Sequence, residues 1–79
     1  MPLSETELGL LACLFRKQII GKNHRRVDAT AGLCHIQTKK GLKKMLKRLA
    51  DVGLLNEWHG PAYSLTHVGV RVASDYLGI

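Results

Sequence analysis

The sequence predicts a mostly α-helical domain with one small β-hairpin, an α+β chain, and three observations predict it. Apolar residues recur at helical spacing in two long stretches, Glu5 to Ile20 and Thr38 to Val52. Gly60-Pro61 separates two short strand-like runs, Leu54 to His59 and Ala62 to Leu65. Thr66 then opens another helical pattern toward the C-terminus. At 79 residues the chain has room for one domain and one core, because a chain this short buries only roughly 60 to 65% of its unfolded surface. The expected domain is therefore residues 1–79. With 46% hydrophobic and 23% charged residues, the composition is that of a globular chain and not of a disordered one.

The first helix opens on a capping box, Ser4 followed three residues later by Glu7. Leu8, Leu11, Ala12, Phe15 and Ile19 form its main apolar face, and Leu10, Cys13 and Leu14 a second, weaker one. A helix apolar around so much of its girth is buried on more than one side, either between two elements of its own domain or in a dimer seam. Gly21 to His24 reads as a loop, and Arg25-Arg26-Val27 as a brief extended segment. Asp28 is placed to cap a short second helix over Ala29 to Cys34, weakened by Gly32. His35-Ile36-Gln37 supplies a tight turn in which Ile36 is the apolar plug.

The third helix is the most informative. Advancing about 100° per residue, Leu42, Met45, Leu46 and Leu49 gather on one face, while Lys40, Lys43, Lys44 and Lys47 gather on the other. Thr38 fits its N-cap and Gly53 the left-handed residue that closes it. In the hairpin that follows, Tyr63 and Leu65 share the face toward the core. In the last helix, Leu65, Gly69, Val72, Ala73 and Tyr76 make one face, flanked by Val70 and Leu77.

Charge is segregated along the chain. The net charge is +6, and eleven of the twelve Lys and Arg lie between Arg16 and Arg48 against Asp28 alone, a local balance of +10. The flanks carry Glu5, Glu7, Asp51, Glu57, Asp75 and one Arg71, a balance of −4. Such segregation favours a polyanion on one face, nucleic acid first and an anionic membrane surface second.

Two further segments carry a family resemblance: Leu46-Lys-Arg-Leu-Ala-Asp-Val-Gly-Leu-Leu55 and Tyr63-Ser-Leu-Thr-His-Val-Gly69. Together they resemble the end of a recognition helix and the return from wing to last helix in winged helix-turn-helix domains of small bacterial and archaeal transcriptional regulators. The resemblance runs from about Val27 to Leu77. It implies three helices, a two-stranded wing and a C-terminal helix, and it implies double-stranded DNA binding with the helix from Thr38 to Val52 in the major groove, whose width of roughly 12 Å admits an α-helix. Gln37, Thr38, Lys39, Lys40, Lys43 and Lys44 match positions that approach bases and phosphates, Lys47 and Arg48 positions that reach the backbone. Arg25 and Arg26 are candidates for a flanking phosphate contact. Lysines neutralise phosphates better than they read bases, and Gln37 alone offers bidentate geometry for adenine. Affinity is thus expected to exceed discrimination. The chain departs from the family at Gly41, early in the recognition helix, and at a wing tip, His59-Gly60-Pro61, without Arg or Lys.

Other functions find less support. His24, His35, His59 and His67, with Cys34, show no paired-ligand spacing for a metal, and no nucleophile context, paired carboxylates or Gly-rich phosphate loop points to an enzyme or a cofactor. Trp58 could stack on a base or cover the core edge. Cys13 and Cys34 form no CxxC and no disulfide framework and sit in apolar patterns as free thiols, which fits a reducing, intracellular setting. With no signal peptide and no run of the roughly 18 to 20 apolar residues that span a bilayer, the expectation is a cytoplasmic, nucleoid-associated protein. Alternative readings are a protein-interaction module that docks its basic face on an acidic partner, and RNA binding. A homodimer through the spare side of helix 1 and Val70, Leu77 and Ile79 of the C-terminal segment is a further expectation.

Overall fold

The computed structural model describes residues 3–36 and 39–79, with Lys39 described by its backbone alone. The expectations for Gln37 and Thr38, including the Thr38 N-cap, therefore fall outside the described residues. Seven elements follow in order: α1 (Glu5–Arg16), β1 (Arg25–Arg26), α2 (Val27–Leu33), α3 (Lys39–Asp51), β2 (Leu55–Trp58), β3 (Ala62–Leu65) and α4 (His67–Leu77). Four helices surround a small antiparallel sheet in the order β1-β3-β2. The hairpin pairs Leu55 with Leu65 and Trp58 with Ala62. The extended Arg25-Arg26 segment pairs with Tyr63 and Ala62 on the other side of β3, so the sheet has three strands where two were expected. The difference lies in a pairing between residues almost forty positions apart, which no local pattern records.

Both edges of β3 are occupied, because Ile20 forms a parallel bridge with Leu65 beyond the end of β1. Consequently all four residues of β3 are buried, not Tyr63 and Leu65 alone. Ser64, on the face away from the core, is satisfied by side chains and backbone: its Oγ donates to the Gly21 carbonyl at 2.6 Å and accepts from Trp58 Nε1 at 3.3 Å. A buried hydroxyl needs such partners.

Helix α1 carries the expected capping box at Ser4 and Glu7. It ends at Arg16 instead of Ile20, and the reason is visible in its last turn. Gln18 adopts a left-handed φ of 57°, Gln18 N–H donates to Phe15 O, and Ile19 N–H donates to Leu14 O. This is a Schellman closure built on glutamine, where glycine is the usual signal. Both of its apolar faces are buried in part: Leu11, Ala12 and Ile19 of the main face and Leu10 and Leu14 of the second are buried, whereas Leu8, Cys13 and Phe15 are half-buried. Asp28 does not cap α2. Arg26 is its N-cap, without a side-chain bond, and Asp28 stands in the first turn. The helix stops at Leu33, where His35 takes φ 55° and Ile36 N–H reaches Ala31 O.

Helix α3 follows its periodicity closely. Leu42, Leu46 and Leu49 are fully buried and Met45 half-buried, while Lys40, Lys43, Lys44 and Lys47 are exposed. Gly53, at φ 85°, donates to Ala50 O, and Leu54 N–H to Leu49 O, completing a Schellman closure whose two leucines join the core. Thr66 caps α4 as expected, accepting from Gly69 N–H and donating to the Gly53 carbonyl. Of the predicted core face of α4, Gly69 and Ala73 are buried and Val72 half-buried, but Tyr76 is exposed. α1 packs chiefly on α4 and β3, and α2 on α3 and β1.

Cys13 and Cys34 are not free thiols. They form a disulfide between α1 and the C-cap of α2, with Cα atoms 6.0 Å apart, so the inference from free thiols to a reducing compartment loses its basis. Among the described residues, no helix is long and apolar enough to cross a membrane.

Candidate functional site

The exposed face of α3 gathers most of the predicted site residues. Burying Leu42, Leu46 and Leu49 fixes the rotation of the helix, and that rotation turns Lys40, Lys43, Lys44 and Lys47 to solvent. Arg26, brought alongside by β1, shares a cleft with Lys40, Lys43 and Asp28 beside the Gly60-Pro61 turn of the hairpin. Its Nη2 donates to the Gly60 carbonyl at 3.2 Å, which ties the arginine to that turn. Arg25 does not line this cleft, and its Nη1 donates to Asn23 Oδ1 at 2.6 Å and to the His24 carbonyl at 2.9 Å.

A wider groove runs along α3 toward the sheet, with Lys43, Lys44 and Lys47 on one side and Pro61, Tyr63 and Glu57 on the other. Here the charge changes character. Lys47 Nζ sits 3.1 Å from Glu57 Oε1, and Tyr63 donates its hydroxyl proton to Glu57 Oε2 at 2.6 Å. The Tyr63 hydroxyl, followed by the Lys47 ammonium, holds the Glu57 carboxyl below its usual range. The hydrogen bond to Glu57, with the charges of Glu57 and Asp51 behind it, pushes the Lys47 ammonium up. Burial, aided by the neighbouring carboxylate, moves the Tyr63 phenol up to about 12. Tyr63, Glu57 and Lys47 form a chain that fastens the hairpin to the outer side of α3.

Arg48 also faces inward in its chemistry. Its Nε lies 3.7 Å from Glu7 Oε2 on α1, and Glu7 is only 4% exposed. Glu7 thus serves twice: Oε1 accepts from Ser4 N–H and Oγ–H in the capping box, and Oε2 has the Arg48 guanidinium as its ionic partner. Sequence reasoning took Glu7 for a cap residue alone, and nothing local signals the second role.

The basic face is therefore graded. At its C-terminal end, Lys47 and Arg48 are committed to Glu57 and Glu7. At its N-terminal end, Lys40, Lys43 and Lys44 form no ion pair among the described residues and stand beside Arg26. The arrangement presents a row of ammonium groups and one guanidinium to solvent, which suits an extended anion with repeating charges. Gly41, exposed and helical, lies in the same row.

The remaining candidates are placed elsewhere. Trp58 stands 38% exposed with its ring edge-on to His24 at 4.7 Å, and its N–H is satisfied by Ser64, so it closes the outer face of the sheet. Among the described residues, no three His, Cys, Asp or Glu side chains are grouped to hold a metal ion. Compared with known proteins, the chain matches no protein-family model, no curated protein and no solved structure.

Proposed function

We propose that this chain is a winged helix-turn-helix domain that binds double-stranded DNA, with α3 as the recognition helix and the β2-β3 hairpin as the wing. The observation that carries this reading is the row of Lys40, Lys43 and Lys44 on the exposed face of α3, in no ion pair among the described residues and flanked by Arg26. A helix supported on one side by α2 and on the other by a hairpin is free to enter a major groove roughly 12 Å wide. The pairing of Lys47 and Arg48 with Glu57 and Glu7 favours contact through the N-terminal half of α3. A transcriptional regulator is the function most consistent with such a module.

These four cations, at roughly −0.9 per phosphate neutralised, lead to a log affinity against log salt slope of about −4 on duplex DNA. Replacing Lys40, Lys43 and Lys44 together by Ala brings the slope to about −1 and weakens binding to all sequences alike, whereas Gln37→Ala acts on particular sequences. Binding that is indifferent to salt, or that survives the triple replacement with its slope intact, rules the reading out.

A further inference from the structure

The disulfide occupies an unusual position in this architecture. α1 belongs with α4 and β3, and α2 with α3 and β1. The two groups meet where β1 pairs with β3, and Cys13–Cys34 adds a crosslink from α1 to the far end of α2, its C-cap. Both cysteines are half-buried, and the bond lies in a surface cleft that Arg16, Lys17, Leu33 and His35 also line. Arg16, Lys17 and His35 are exposed. The bond is thus open to a thiolate from solvent, and the cations beside it favour both the approach of a thiolate and the departure of one.

We propose that this cleft is a thiol–disulfide exchange site, reduced by a dithiol, whose state sets how firmly α3 is held for binding to DNA. One thiolate of the dithiol attacks a sulfur of the pair and releases the other cysteine as a thiolate, giving a mixed disulfide. The second thiol of the reagent then displaces the remaining cysteine. The dithiol leaves as its cyclic disulfide, its two protons are taken up by Cys13 and Cys34, and two electrons pass from reagent to protein. Once the bond opens, the end of α2 keeps the Cys34 N–H bond to Thr30 O and the Ile36 N–H bond to Ala31 O, both internal to that segment. Neither ties it to α1. The Glu7–Arg48 pair then remains as the ionic link from α1 to α3. Ile36, half-buried against the core, and the packing of α2 on α3 pass the loosening to the basic helix.

The inference rests on the DNA-binding reading, and the test separates the two. Oxidised wild-type protein is titrated with duplex DNA at fixed moderate salt, then again after treatment with dithiothreitol, with thiols counted by maleimide labelling. Amide hydrogen exchange of α3 is followed in both states, without DNA. The expected result is two titratable thiols under native conditions, faster exchange in α3, and an affinity lowered about fivefold or more, the lower end of coupling between sites. Cys13→Ser binds as the reduced protein does and ignores dithiothreitol. If the oxidised protein fails to bind DNA, the functional reading falls, while a change in α3 exchange on reduction still upholds the exchange site. A bond that resists dithiothreitol in the folded protein overturns the inference. So does a reduced chain that binds and exchanges like the oxidised one, and so does global unfolding on reduction, followed by Trp58 fluorescence, which makes the bond a staple and not a switch.

Discussion

α1 and α3 bury leucine stripes of similar size, yet what surrounds those stripes differs. α1 is enclosed on most sides: Glu7, Leu10, Leu11, Ala12 and Leu14 are all buried, and it packs chiefly on α4. α3 is enclosed on one side only, and its other side holds charge. The difference teaches that helical amphipathicity here divides labour. A helix apolar around much of its girth anchors the domain, and a helix with one narrow apolar stripe turns its charged side chains to solvent. Glu7–Arg48 joins the two helices directly, and Cys13–Cys34 joins α1 to the end of α2, which packs on α3, so the charged helix is oriented by the enclosed one.

The largest test breaks the anchoring half at α4. A Cβ on Gly69 would collide with the Leu54 carbonyl oxygen, a contact with backbone that no rotamer relieves. Gly69→Ala is expected to cost about 3 kcal/mol, the upper range for overpacking, read as a lower urea midpoint with unchanged slope. Gly9→Ala is the control within α1: a Cβ there meets nothing within 4 Å, and the change should stabilise by up to about 1 kcal/mol.

A smaller effect is expected at the ionic connection. Arg48→Ala leaves buried Glu7 without its counter-ion, and with the Arg48 side chain 56% exposed the loss is discounted to about 1 to 2 kcal/mol. Adding Glu7→Gln should recover part of that loss in a double-mutant cycle. If the double variant is merely the sum of the single ones, the pair does not couple the two halves.

The smallest effect concerns the contact between the hairpin and α3 and appears in the pH profile. Because the Glu57 carboxyl is held below its usual range, its ionisation contributes stability that is present above that range and lost as pH falls through the lowered value. Tyr63→Phe removes the largest cause of the lowering and should flatten the acid limb of stability against pH. On the alkaline side, a phenol raised from 10.0 to about 12 contributes stability that is intact below pH 10 and fades as the pH climbs toward 12. The same variant should abolish that fade, and an unchanged alkaline limb would show that the buried Tyr63 phenol is not its source.

These effects sort by how local their causes are, and so does what the sequence reveals. The rotation of α3 is legible because Leu42, Leu46 and Leu49 recur at 3.6-residue spacing, and the caps at Ser4 and Thr66 because a hydroxyl and an N–H three residues on suffice. The ends of α1 and α2 are not legible, since Gln18 and His35 adopt a left-handed conformation that glycine normally signals. Asp28 looked like a cap because its side chain can be one, but the chain enters α2 from a strand, and the backbone of Arg26 takes the cap position. The partners of Cys13, Glu7 and Arg26 lie on other elements. Such pairings exist only once the helices pack, so a residue read correctly as apolar, capping or cationic still concealed its second role. At the candidate site, the lysines of α3 could be found from spacing, while the withdrawal of Lys47 and Arg48 by acids could not.

The strand formed by Arg25 and Arg26 also bears on how the molecule behaves among copies of itself. Sheet edges are templates on which further strands can grow, and a long, flat, uncharged edge invites fibrillar stacking. Here the outer edge at β1 is two residues long and both are exposed arginines, so an incoming identical edge would meet like charge before it could form a ladder. At high concentration this edge therefore resists zipping copies of the chain into a common sheet.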